Sequence, residues 1–244
     1  RVCPNGSRAM LHEGDGEGSM LQESDLPSFA VLTKQSLVPG GDGTPALQKH
    51  LPELQEMLRN GDNKIIIHAA TASGKSREIP SVLPHFLKRQ LLTATPSRVD
   101  VKGMQQDAKV PSCYCMGHGE RFGNKRNARV VFATNGLVQQ WYASDGEDFL
   151  RDYDGIFFDE IHAMETDPGY ALLWEVALAT QRKRDFLIVG ASATFTPALI
   201  ERLDDAGVKW IRCPERPHPV EKFEVEVPTS NDVYVAVQHL CMGV

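Results

Sequence analysis

Long apolar stretches are missing from this chain. No run approaches the roughly 20 apolar residues that a membrane-spanning helix needs, so its hydrophobic residues, 41% of the total, must be buried in a core. The start lacks the pattern of a secretory signal. Cysteines are few and scattered: Cys3, Cys113, Cys115, Cys213 and Cys241. An odd, irregular set argues against a disulfide framework and for a reducing compartment. Cys113 and Cys115 with His118 have some metal-ligand character, but small thiols at a buried strand end explain them without zinc. No internal repeat is present. A basic excess is absent too: the formal net charge is −6, and residues 1–25 carry −3 of it. A nucleic-acid binder needs positive charge only along its groove. Basic clusters do occur at "RFGNKRNAR" (Arg121 to Arg129) and "QRKR" (Gln181 to Arg184). Such a run is more often a solvated loop than a binding surface.

What is present has a clear order. The 244 residues allow one large domain or one and a half ordinary ones. The chain begins at Arg1 rather than Met, and is expected to be a fragment or a piece of a longer polyprotein. Residues 1–44 are rich in Gly, Ser, Asp and Glu and read as a flexible acidic leader, with "FAVLTKQSLV" ordered against the body. "PELQEMLRN" predicts a helix, with Pro52 in its first turn and Gly61 past its end. Short apolar strands then alternate with helices. Strands are expected at 64–69, 91–95, 112–116, 128–134, 155–160, 186–192 and 209–213. Helices are expected over 75–89, from Ser97, and in "GLVQQWYAS", "GYALLWEVALATQ" and "PALIERLDDAG". That alternation predicts an α/β fold, a mostly parallel sheet with helices on both faces.

The stretch "HAATASGKS", His68 to Ser76, ends as a phosphate-binding loop ends. An apolar strand precedes it and a helix follows, which is the context the motif requires. Backbone N–H groups at the helix N-terminus would face phosphate oxygens, aided by the helix dipole. The loop would comprise Ala70, Thr71, Ala72, Ser73, Gly74, Lys75 and Ser76. Lys75 would reach the β- and γ-phosphates, and the Ser76 hydroxyl would hold Mg²⁺. Ala69 stands where the usual motif has its first glycine, a position that needs only a strand end and some room. Ala72 is a second small residue in place of glycine and brings one methyl near the phosphates.

Two further anchors lie downstream. In "GIFFDEIHAME", Asp159 and Glu160 end an apolar strand, where open α/β sheets bind ligands. One carboxylate there can hold Mg²⁺ while its neighbour orients and deprotonates a water. In "GASATF", Ser192, Ala193 and Thr194 stand at another strand end, 33 residues after Asp159 in the case of Ser192. Small hydroxyls there can bond to Asp159 or His162 and relay the state of the site.

In this order and spacing, "AATASGKS", "DEIH" and "SAT" resemble the first three core motifs of superfamily 2 DExH-box RNA helicases. "GKSREIPSVL" looks like the G-K-T-T-Q-I-P segment of DEAH-box helicases, and "ATPSRVDVKGM" looks like their P-T-R motif. "FATNGLVQQWYASDGEDFLRDYDGIFFDEIH" is similar to the stretch from their T-x-G-x-L motif to the DExH box. In flavour the chain is most like plus-strand RNA virus helicases of the potyvirus and hypovirus kind. The resemblance covers about residues 45–228 and implies a RecA-like P-loop NTPase domain there, with 229–244 beginning a linker to a second such domain. It implies ATP and Mg²⁺, with Lys75, Ser76 and Asp159 on phosphate and metal, Glu160 as base, and His162, Ser192, Ala193 and Thr194 in coupling. Ser97, Arg98, Thr134, Asn135 and Gly136 match motifs that grip RNA. Arg121, Lys125 and Arg126 lie between them in sequence, and whether they reach the same strand is open at this point. Implied partners are single-stranded or duplex RNA, the second RecA-like domain of the same polyprotein, and a viral polymerase, in the host cytoplasm.

One family motif is absent. Q-R-x-G-R-x-G-R occurs nowhere, and the 31 residues after Cys213 are too few for the domain that carries it. "HPVEKFEVEVP" looks like the strand leading toward that domain. Two other enzyme classes fit less well. The loop of tRNA prenyltransferases resembles "TASGKS", but those enzymes lack the DExH box. A GTPase wants N-K-x-D, whereas "NKRN" ends in Asn. The non-enzymatic alternative is a nucleotide-gated RNA-binding module.

Overall fold

The computed structural model describes residues 31–38, 46–213 and 220–226. In chain order the elements are β1 (Val31–Val38), α1 (Ala46–Arg59), β2 (Lys64–Ala69), α2 (Lys75–Val82), β3 (Gln90–Thr95), α3 (Arg98–Asp107), β4 (Ser112–Cys115), β5 (Arg121–Phe122), β6 (Val130–Thr134), α4 (Asn135–Asp145), β7 (Tyr153–Asp159), α5 (Pro168–Lys183), β8 (Leu187–Ser192), α6 (Pro197–Asp205), β9 (Lys209–Cys213) and β10 (Val220–Glu226). They fall into two compact units, residues 40–218 and residues 1–39 with 219–244. In the smaller unit β1 and β10 form an antiparallel pair, Val31 opposite Glu226 and Val38 opposite Val220. The expected flexibility of residues 1–30 and the linker at 229–244 lie outside the described residues.

The larger unit is built on one eight-stranded sheet in the order β5-β4-β6-β3-β7-β8-β2-β9. Every pairing in it is parallel except that of the two-residue edge strand β5 with β4. Side chains alternate across a pleated strand, and here both sets are apolar. Ile66, Leu92, Val131, Ile156 and Ile188 face one core with Val138 of α4, Trp174 of α5 and Leu203 of α6. Ile65, Leu91, Val130, Phe157 and Val189 face the other with Leu54 of α1, Ile79 of α2 and Met104 of α3. A parallel sheet covered on both faces is the outcome the apolar runs predict.

The structure departs from the sequence expectations in a few places. The first helix begins at Ala46, so Pro52 lies inside it. Ala46, Leu47 and Leu54 are buried on its inner side, and that burial offsets the hydrogen bond Pro52 cannot donate. The helix expected over 75–89 stops at Val82 and tightens into a 3₁₀ turn, Leu83–Phe86. Pro80 and Pro84 supply no N–H to an α-helical ladder there, which is why it cannot run on. The β5 edge strand has too few residues to carry a sequence signal.

The strand order positions the motifs. In a parallel sheet all carboxyl ends share one edge. Neighbouring strands β6, β3, β7, β8 and β2 therefore present "TNG", "PSR", "DE", "SAT" and the phosphate loop side by side.

Candidate functional site

The half of this edge formed by β7, β8 and β2 is tightly tied. The Ser76 hydroxyl donates to Asp159 Oδ1 at 2.9 Å, joining two residues 83 positions apart. Lys75 is 5% exposed, and its ammonium donates to the carbonyls of Ala69 and Ala70, both at 2.9 Å. Burial lowers the Lys75 pKa, while Glu160 and Asp159 pull it back up. Asp159 is 2% exposed. Burial pushes its carboxyl up to about 7 against the Ser76 hydrogen bond, and the charge of Glu160 adds to the rise.

Backbone geometry separates the two carboxylates. Glu160 follows β7 with φ at 52°, in the left-handed region, a strain of about 1–3 kcal/mol for a residue with a Cβ. Its side chain leaves Asp159 and meets a different set of partners. His162 Nδ1 lies 3.2 Å from Glu160 Oε2 and 2.8 Å from Ser192 Oγ. The Ser192 hydroxyl donates to Glu160 Oε2 at 3.3 Å and accepts from the Thr194 N–H at 3.1 Å. Ser192 is fully buried, Ala193 is half-buried and Thr194 is exposed. Gly190, two residues earlier on β8, lets the turn after β7 pack down: a Cβ there would meet Ile161 Cδ1 at 2.5 Å.

The loop itself is strained at Ala72, whose φ is 63°. Its methyl is therefore unfavourable because of the backbone it must accommodate, which is a different cost from crowding the phosphates. Gly74, at φ 90°, caps α2 with no side chain of its own. Ser73 is buried, and its carbonyl accepts from the Leu47 N–H at 3.2 Å, fastening α1 to the loop. Thr71 is exposed and Ala70 half-buried.

The residues fit Mg²⁺. A hydroxyl and a carboxylate are hard oxygen donors, and that ion uses one or two carboxylates with phosphate and water. Ser76 and Asp159 would hold it. Among the described residues no group of three His, Cys, Asp or Glu could hold a metal ion. The His118 side chain is not among them. Cys113 and Cys115 lie two apart on β4.

The other half of the edge, at β6 and β3, is looser. Ser97 caps α3, accepting from the Asp100 N–H at 3.4 Å. Arg98 begins the helix, with its side chain 56% exposed and its Nη2 3.1 Å from Glu120 Oε2. Thr134 and Asn135 are buried at the start of α4, and Gly136 has open space beside it. The Asn135 amide donates to Asp167, the N-cap of α5. The basic cluster is split by the fold. Arg121 pairs with Cys115 at the carboxyl end of β4. Lys125 and Arg126 lie beyond it in the 3₁₀ turn Lys125–Asn127, close before β6 begins. The Lys125 ammonium sits 5.1 Å from the Trp141 ring centroid and 5.2 Å from that of Tyr153. Lys125 and Arg126 are therefore at the opposite edge from Arg98 and Thr134.

Sequence reasoning passed over Tyr170. This buried residue donates its hydroxyl to the carbonyls of Ala94, at 2.9 Å, and Asp159, at 2.7 Å. It thereby fixes the ends of β3 and β7, one from each half of the site. An aromatic inside an apolar helix carries no signal of that role.

Comparison with solved structures places this architecture. An Escherichia coli DExH-box NTPase, HrpB, matches over 70% of this chain with a TM-score of 0.58 and 21% identity. A second structure of the E. coli DEAH/RHA helicase HrpB matches over 68% with a TM-score of 0.55 and 22% identity. The fold is RecA-like, a mostly parallel sheet with helices on both faces. Each match takes in 22% of the solved chain. Among curated proteins, the ATP-dependent RNA helicase TDRD9 of Homo sapiens is 23% identical over 184 residues, 70% of this chain and 13% of that protein. The Danio rerio TDRD9 is 25% identical over 184 residues, 66% of this chain and 14% of that protein. This RecA-like domain thus spans about one seventh of the curated relatives it matches. No protein-family model matches the chain.

Proposed function

We propose that this chain is the ATP-binding motor domain of an RNA helicase, coupling nucleoside triphosphate hydrolysis to movement along RNA and to unwinding. The observation that carries the reading is the Ser76–Asp159 hydrogen bond at 2.9 Å, with Glu160 turned away to His162 and Ser192. The loop residues Ala70 to Ser76 cradle the phosphates, and Lys75 leaves the Ala69 and Ala70 carbonyls to meet the β- and γ-oxygens. Mg²⁺, when bound by Ser76 and Asp159, neutralises charge on the phosphates. Glu160 orients water and accepts its proton. His162 and Ser192 touch Glu160, so the state of that carboxylate is transmitted to the strand end carrying Ala193 and Thr194. Ser97, Arg98, Thr134, Asn135 and Gly136 hold the RNA backbone, which makes binding salt-sensitive and largely indifferent to sequence.

Phosphoryl transfer also needs charge stabilisation of the γ-phosphate, for which an arginine finger supplies about 10³–10⁵ in rate. The second RecA-like domain supplies it in this reading. The sequence resemblance to plus-strand RNA virus helicases supports a source in a viral polyprotein, work in the host cytoplasm and a viral polymerase as partner.

The test is ATP turnover, with and without RNA, for this chain and for the same chain with its natural C-terminal extension. The chain alone is expected to turn over slowly or not measurably, and the extended protein to show RNA-stimulated hydrolysis. Nucleotide and RNA binding without turnover in the extended protein would favour the nucleotide-gated RNA-binding module instead.

A further inference from the structure

Glu120 bridges two cations on α3. Its Oε2 lies 3.1 Å from Arg98 Nη2 and its Oε1 2.6 Å from Lys102 Nζ. Arg98 and Lys102 are one helical turn apart and share a face. With Val99, Gly103, Gln106, Met116 and Glu120 they line a cleft of about 360 Å³. We infer that Arg98 and Lys102 form a fork for a phosphodiester of single-stranded RNA, and that the Glu120 carboxylate holds the phosphate's place until RNA displaces it. The inference rests on the RNA reading above and adds to it a second cation and a built-in competitor.

The chemistry of the two anions is alike. A carboxylate and a phosphodiester each spread one negative charge over two oxygens, and each accepts from a guanidinium and an ammonium together. All three side chains are well exposed, at 56% for Arg98, 49% for Lys102 and 37% for Glu120. Exposed ion pairs contribute little net stability, so exchange of Glu120 for phosphate is cheap. Two cations against one carboxylate leave the cleft net positive. Glu120 is also carried on a turn rather than on an element. Its carbonyl accepts from the Met116 N–H at 2.7 Å, closing the turn between β4 and β5 through Gly119, at φ 77°. The carboxylate can swing away while that backbone bond stays in place.

The test is fluorescence anisotropy of a single-stranded RNA oligomer against the full chain over a range of salt. Glu120→Gln should bind about three- to tenfold tighter with the log–log salt slope unchanged, because the phosphate fills the fork in both bound states and only the competing carboxylate is removed. Lys102→Ala should bind weaker, with a slope shallower by about 0.7, one phosphate contact fewer on a single strand. Glu201→Gln, an equal charge change on α6 across the sheet, gives the baseline. Thermal melts of each variant separate folding from affinity. If Glu120→Gln matches Glu201→Gln in affinity while Arg98→Ala weakens binding, Glu120 only pins its turn and the inference fails, leaving the RNA reading intact. Displacement of RNA by inorganic phosphate at matched ionic strength would assign the fork to free phosphate and also overturn it. If Arg98→Ala leaves RNA affinity unchanged and the extended protein shows no RNA-stimulated turnover, the RNA reading itself falls.

Discussion

The two halves of the sheet edge are built differently. At β7, β8 and β2 the charged groups are buried and interlocked: Lys75, Asp159 and Ser192 are each 5% exposed or less. At β3 the cations Arg98 and Lys102 are about half exposed and pair with the Glu120 carboxylate. Chemistry on a phosphate gains from dry, fixed dipoles. A grip that must slide along a polymer gains from accessible cations that exchange partners at low cost. Asn135 crosses this division, being buried and held by Asp167. That bond ties the start of α4 to the start of α5.

Breaking the buried half should have the largest effect. Lys75→Ala is expected to weaken binding of a fluorescent ATP analogue by roughly a hundredfold or more, from loss of a charge-assisted hydrogen bond worth about 3 kcal/mol. Glu160→Gln should keep that affinity, and in the C-terminally extended protein should lower turnover by about 10²–10⁴. Parental turnover in Glu160→Gln would exclude Glu160 as the base.

A smaller effect sharpens the cost of burial. Because burial raises the Asp159 pKa to about 7 from the ordinary carboxylate range, its ionisation opposes folding. That penalty is absent near pH 4, grows between pH 4 and 7, and is complete above. Asp159→Asn should therefore stabilise the nucleotide-free chain by about 1–3 kcal/mol at pH 8, with the gain vanishing toward pH 4. Urea melts across that range measure it. The same variant should lose the Mg²⁺ dependence of nucleotide binding.

The smallest effect concerns the loop backbone. A left-handed alanine costs about 1–2 kcal/mol, and glycine returns part of that as unfolded-state entropy. Ala72→Gly should stabilise the chain by about 0.5–1 kcal/mol, a rise in Tm of about 1–4 °C. A lower Tm would show that Ala72 is not strained in solution.

Much of the fold was legible because its signals are local. Apolar runs such as "KIIIHA" and "FLIVGAS" mark strands buried on both faces, and strand–loop–helix context marks "TASGKS" as a phosphate loop. Pro52 looks like a start signal for the first helix, whereas burial of Ala46 and Leu47 carries the helix back to Ala46. The basic run "RFGNKRNAR" reads as one cluster along the chain, yet β5 carries it from one sheet edge to the other.

The sequence by itself determined the element types, the α/β class and which side chains are candidates for phosphate, metal and base, since these depend on periodicity and on residue chemistry a few positions apart. Only the tertiary structure decided that Ser76 meets Asp159 across 83 residues. It also decided that Glu160 turns to Ser192 through a left-handed backbone, that Tyr170 ties β3 to β7, and that Glu120 bridges Arg98 and Lys102. Those contacts depend on strand order and on the desolvation that packing imposes, and neither is a property of any short stretch of chain.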